Sequence, residues 1–209
     1  MTGHAKALNP RKLPTQERSR QTVAAIIAST AHILVRHGYE GTTTARVAER
    51  AGTSIGSVYQ YFPNKESLIG ALVEQHALEI LETMKAAVFE EPHSNLTCGI
   101  RCIIKAAAAA HLANPALHKV LSEQVPHVGK HGLAVETHRK ITGFIEAMLN
   151  SYSAEVTGAS DLALASVVVE TTLEALIHKA VIDRSELLVD HVFEDEVLRL
   201  LVGYLTYRP

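Results

Sequence analysis

The sequence of 209 residues predicts an all-α fold of about nine helices. Three observations carry that prediction. Apolar residues recur at three- and four-residue steps, and no alternating stretch is long enough for a strand ladder. Breakers fall at helix-length intervals, at Gly38, Gly52, Pro63, Pro92, Pro115 and Pro126. Hydrophobic content is 47%, enough to bury a core and too high for a disordered chain.

The elements follow in order. Residues 1–14 read as a flexible basic arm. Thr15 is placed to cap a first helix, with Glu17 in its first turn. Val23, Ile26, Ile27, Ala31, Leu34 and Val35 then keep helical spacing, and Gly38 suits the left-handed residue just past a helix end. A second helix starts at Thr43 or Thr44 and stops at Gly52. A third runs from about Ser54 to Phe62, where Pro63 breaks it. Asn64 caps a long fourth helix, residues 65–88. Ser94 or Asn95 opens a fifth, ended by Pro115, and a short helix follows up to Pro126. Residues 133–150 are amphipathic. Ser160 is placed to cap the next helix, about 161–182, and a last helix covers about 186–207. No run approaches the ~18 apolar residues of a membrane span.

Charge is uneven along the chain. Residues 1–65 carry nine Lys/Arg against three acids, and residues 66–209 carry eleven against nineteen. The net charge of −2 therefore hides a basic first third on an acidic body, which predicts that the first part meets a polyanion. Cys98 and Cys102 are the only cysteines, so no disulfide framework exists and a reduced, cytoplasmic setting is expected.

Residues 44–62 meet the steric rules of a helix-turn-helix. Ala48 is small where two short helices cross. Gly52 can take a positive φ in the turn. Val47, Ala51 and Val58 supply the apolar contacts. The start of the second of these helices is the part that enters the major groove. The DNA-contact residues expected on this basis are Thr43, Thr44, Arg46, Ser54, Ile55, Gly56, Ser57, Tyr59, Gln60, Tyr61 and Lys65. Ser57 and Gln60 can read base edges, and Gln suits adenine. Gly56 permits close backbone approach. The tyrosine hydroxyls, Thr44, Arg46 and Lys65 suit phosphate oxygens. Phe62 is expected in the core.

The stretch "GYEGTTTARVAERAGTSIGSVYQYFPNKESLIGAL" resembles the DNA-binding domain of the TetR family of bacterial transcriptional regulators. The resemblance rests on Gly38-Tyr39, the threonines before the second helix, Ala48 and Gly52, Tyr59-x-Tyr61-Phe62 and Asn64-Lys65-Glu66-x-Leu68, and it is specific over residues 16–72. It implies a helix-turn-helix domain over 15–64 and a helical ligand-binding and dimerisation domain over 65–209. It also implies a homodimer whose last two helices form a four-helix bundle, and repression relieved by a small molecule. Ile55 departs from the polar base-reading residue that members often carry there.

The body is harder to orient. Leu173, Ile177, Val181, Leu198, Leu201, Val202 and Leu205 are expected at the dimer interface, because helices apolar nearly all round are buried on two sides. Polar residues on these apolar helices mark a possible cavity: His111, His118, and the row Glu170, Glu174 and His178 on one face. Leu121 and Phe144 are expected to join His111, Glu170, Glu174 and His178 in binding a mainly hydrophobic effector. The same polar row also suits a hydrogen-bonded dimer contact or solvent, which is the more ordinary reading of such a row.

Other function classes find less support. His127 and His131 have a zinc-compatible spacing, without a neighbouring cysteine or carboxylate. Cys98 and Cys102 suggest a redox pair, but thiols on an apolar helix are usually inert. No phosphate loop, nucleophile elbow or metal-hydrolase spacing is present, so neither catalysis nor a cofactor is expected.

Overall fold

The computed structural model describes residues 17–90, 93–125, 133–189 and 191–208. The basic arm, the Thr15 cap and the His127/His131 pair lie outside them. Nine α-helices occupy the described residues, with no strand among them. They are α1 (Glu17–Gly41), α2 (Thr44–Arg50), α3 (Ile55–Tyr61), α4 (Lys65–Glu90), α5 (Leu96–Ala113), α6 (Pro115–Gln124), α7 (Leu133–Ser151), α8 (Leu162–Asp183) and α9 (His191–Thr206). A 3₁₀ turn, Ser185–Val189, precedes α9, where the sequence pattern suggested one continuous last helix.

Local chemistry sets most helix ends. The Thr43, Ser54 and Asn95 side chains accept from Arg46, Ser57 and Cys98 backbone N–H groups. Asn64 and Ser67 cap α4 reciprocally: Ser67 N donates to Asn64 Oδ1 at 2.8 Å, and Asn64 N to Ser67 Oγ at 3.3 Å. At α8 the cap is Asp161, not Ser160; its carboxylate accepts from Leu164 N at 3.1 Å. Gly52 has φ 63°, the left-handed turn that the helix-turn-helix needs.

The chain forms two compact units. The first runs to Ala77 and takes in Ala116–Glu136. Its core is Ile26, Leu34, Val47, Val58, Phe62, Leu68 and Ile69, joined by Leu117, Val120 and Val125. The boundary expected from the sequence falls after residue 64 and assigns α6 to the body, whereas this unit extends to Ala77 and includes most of α6. α6 also closes the end of α1. Gly38 breaks α1 with φ 67° and ψ −178°, and the freed Tyr39 N–H donates to Gln124 Oε1 at 2.9 Å. The positive φ calls for glycine, and a Cβ there would also sit 2.7 Å from that oxygen and displace the Gln124 amide.

The second unit comprises Leu78–Pro115 and Thr137–Pro209. Its core is almost wholly aliphatic, built from Ile80, Met84, Ile100, Ile103, Ile104, Ile145, Leu149, Leu173 and Leu201. α5 packs against both α8 and α9. Its Ala106–Ala108 run is buried, as small residues at a close helix crossing should be. Contrary to the sequence reading, α5 has the length and hydropathy of a membrane span, 18 residues at a mean of 1.3, but half of it is buried in this core. Arg101 ties α5 to α9 by donating to Glu194 at 2.6 Å and Asp195 at 2.8 Å, which holds its guanidinium more firmly charged. Gly158 lets the α7–α8 connection close on the end of α9. Its N–H donates to Leu205 O at 2.9 Å, and a Cβ there would stand 2.3 Å from Tyr207 O.

Candidate functional site

In the first unit, α2 and α3 present a joint outer surface. Val58 and Phe62 anchor α3 in the core, so Tyr59 and Gln60 between them turn outward. Ile55 and Tyr59 are 46% and 43% exposed, and Gly56 and Gln60 are exposed beside them. A Cβ on Gly56 would meet only the Ser54 Oγ, at 3.7 Å. The Tyr59 hydroxyl lies 3.1 Å from Thr44 Oγ1, so the start of α2 and the face of α3 meet at one hydroxyl pair. Ser57 is half-buried, and its hydroxyl is 2.8 Å from that of the capping Ser54. Tyr61 departs from the expected outer face: it is half-buried and packs on the core beside Phe62.

Both expected cations make contacts within the chain. The Lys65 ammonium sits 3.9 Å over the Tyr39 ring, donates to Tyr39 O at 3.1 Å and lies 3.7 Å from Glu40. Arg46 donates to Gly41 O at 2.7 Å. It also borders a basic cleft of about 400 Å³ between α1 and α2, lined by His32, Arg36, His37, Glu49 and Arg50. Desolvation, then Arg50, Arg36 and His37, lower the His32 pKa below its ordinary value. Sequence reading counted these charges without bringing them together, because they meet across two helices.

Among its described residues the second unit has two recesses. A cavity of about 20 Å³, room for about one water, is lined by Ile80, Met84, Ile141, Ile145, Leu173 and Ile177. His111, Glu170 and Glu174 enter it. Buried His111 has Nδ1 2.7 Å from Ala107 O, and its Nε2 faces Glu174 at 3.6 Å. Glu170 meets His138 Nδ1 at 2.7 Å, and that contact raises the imidazole pKa. The second recess is a groove of about 500 Å³ lined by Val88, His93, Phe144, Ala147, Met148, Ser151 and Tyr152.

Three of the expected effector residues therefore come together: His111, Glu170 and Glu174. The others do not. Phe144 lines the groove instead of the cavity, His178 lines neither recess, and Leu121 packs against the core of the first unit. Among the described residues no group of three His, Cys, Asp or Glu side chains could hold a metal ion. Cys98 is exposed, and the Cys102 thiol donates to Ala87 O.

Comparison with known proteins settles the family. Residues 26–72 match the model for bacterial regulatory proteins of the tetR family. Residues 96–205, more than half of the chain, match the tetracyclin repressor-like C-terminal domain. The chain belongs to the TetR family of transcriptional regulators. An uncharacterized HTH-type transcriptional regulator of Bacillus subtilis is 33% identical over 75 residues, 34% of this chain; the match spans only 40% of that relative's length. One from Mycobacterium bovis is 23% identical over 145 residues, 69% of each chain. Among solved structures, a tetR-family regulator from Shewanella superposes with TM-score 0.74 at 21% identity, covering 90% of this chain and 99% of that one. FadR from Bacillus subtilis, in complex with stearoyl-CoA, gives 0.72 at 20%, covering 87% and 98%. At such identities the structural likeness shows the shared fold.

The TetR-family body corrects the expected dimer residues. Leu173, Ile177, Val181, Leu198, Leu201 and Leu205 are all buried in this chain's own core, and Val202 packs against it. The first six present almost no surface to a second subunit, while Val202 is half-buried. The apolar residues that α8 and α9 do expose are Leu164, Val167, Val192, Leu200 and Tyr204, with Tyr207 just beyond. On α9, Val192, Leu200 and Tyr204 share one stripe at multiples of four residues.

Proposed function

We propose that this TetR-family regulator is a cytoplasmic, non-catalytic repressor that binds a palindromic operator as a homodimer and releases it when an effector enters the C-terminal unit. The observation that carries the DNA reading is the exposed α3 face: Ile55, Gly56, Tyr59 and Gln60 outward, with Tyr59 paired to Thr44. Gln60 reads a base edge, Thr44 and Tyr59 engage phosphate, and the Arg36/Arg46/Arg50 cleft adds positive potential beside them. The exposed stripe of α8 and α9 is the dimer face in this reading. A two-fold dimer sets its heads about 34–36 Å apart in the simplest geometry.

The cavity and groove of the second unit are the effector site. An effector must bind one state of the dimer better than the other, or it shifts nothing. α4, shared by both units, is the element through which that preference reaches the head.

The test is selection of genomic DNA fragments by the purified protein at two salt concentrations. A palindromic motif bound more weakly at the higher salt supports the reading. Absence of any enriched motif at either salt rejects it.

A further inference from the structure

We infer that the cavity and the groove of the second unit form one elongated site for a cationic amphiphile, with the ammonium at Glu174 and the apolar body along α4 and α7. The inference rests on the effector reading above and deepens it.

The two recesses follow the same pair of helices. Ile80 and Met84 of α4 line the cavity, and Val88, one turn on, lines the groove. On α7, Ile141 and Ile145 line the cavity while Phe144 and Met148 line the groove. From Ile80 to Val88 the helix rises about 12 Å. The ends differ in chemistry and room. The cavity has carboxylates and about 20 Å³; the groove has apolar walls and about 500 Å³, within the range of small-molecule sites. A small charged head with a long apolar body matches both.

Charge selects the head. Glu170 lies 2.7 Å from the His138 imidazole, with its side chain 11% exposed. Glu174 faces His111 at 3.6 Å, and its side chain is 45% exposed. An ammonium there gains a charge-assisted contact in aliphatic surroundings. A carboxylate or phosphate would set like charges together.

The far end carries its own signal. His93 lines the groove, and its Nε2 is buried with no hydrogen-bond partner among the described residues. The Tyr152 hydroxyl, donating to His93 O at 3.1 Å, holds this residue against α7. A buried ring nitrogen without a partner is costly. A hydroxyl at the tail of the ligand satisfies it in either tautomer.

The test uses calorimetry on the full-length protein with decylamine, 10-amino-1-decanol, decanol and decanoate. The expected order of affinity is aminodecanol, decylamine, decanol, decanoate. Glu174→Gln should weaken both amines about tenfold while leaving decanol within about twofold. His93→Phe should erase the advantage of aminodecanol over decylamine and leave decylamine unchanged. Decanoate binding as tightly as decylamine, amine affinity indifferent to Glu174→Gln, or no binding by any probe overturns the assignment. The operator selection separates the two readings. A clear operator together with release by an anionic compound keeps the regulator and removes this ligand class. Amine binding without an operator does the reverse.

Discussion

α3 and α8 show opposite ways for a helix to be positioned. α3 has seven residues. One capping serine, one buried valine and a proline after Phe62 decide its start, its inward face and its end. α8 has twenty-two residues and is apolar on nearly every side. Its periodicity names no inward face, because several faces would serve. The core chose Ala165, Val169, Leu173 and Ile177, leaving Leu164 and Val167 exposed. Local rules orient a short amphipathic helix, whereas only the neighbours orient one that is uniformly apolar.

The largest expected effect tests that contrast directly. Leu173→Ala removes a fully buried side chain and should cost about 2–5 kcal/mol of folding stability. Leu200→Glu alters an exposed one and should shift folding by about 0.5 kcal/mol or less. The same change places two charges in the proposed dimer face and should leave monomers in sedimentation. If Leu173→Ala folds normally but dissociates, or Leu200→Glu stays dimeric, the assignment of the two faces is reversed.

Smaller effects belong to the head. Ser54→Ala removes the α3 cap and should cost about 1 kcal/mol by thermal melting. A loss well below that would mean that the Ser54–Ser57 pair adds nothing to α3. Lys65→Met keeps an aliphatic side chain and deletes the ammonium that stands over the Tyr39 ring. The log–log salt slope of DNA binding should then flatten by about one. A lower melting temperature with an unchanged slope would make Lys65 a purely internal tie between α4 and the Tyr39 backbone.

How much was legible follows from range. The caps at Thr43, Ser54, Asn64 and Asn95, the turn at Gly52 and the burial of Phe62 depend on residues within a few positions, and each could be read directly. Gln124 could not be. It closes the end of α1 from 85 positions away, and nothing near it in sequence marks that role. The basic cleft failed to appear for the same reason, since it forms only when α1 and α2 lie together. Glu170 and Glu174 were marked by polarity on an apolar helix. His178, on the same row, was not separable from them until the neighbouring helices defined where the cavity stops. Ser160 lost the α8 cap to its neighbour Asp161, a one-residue choice between two good capping side chains.

The smallest effect concerns the His138–Glu170 pair, and its sign is fixed. The hydrogen bond to Glu170, ahead of desolvation, which works the other way, lifts the His138 pKa above 6.5; the Glu170 and Glu174 charges add to the rise. A raised pKa means that the folded state holds the proton more tightly than the unfolded chain. The pair therefore contributes fully below pH 6.5, and its contribution fades as pH climbs through the folded-state value. His138 is more than half exposed, so the contribution should stay under about 1 kcal/mol. Melting of the wild type and of His138→Gln should differ most near pH 6 and converge by pH 9. A gap that is constant across this range, or that widens toward pH 9, would show that His138 acts through packing and that Glu170 carries its charge into the cavity without a counterion.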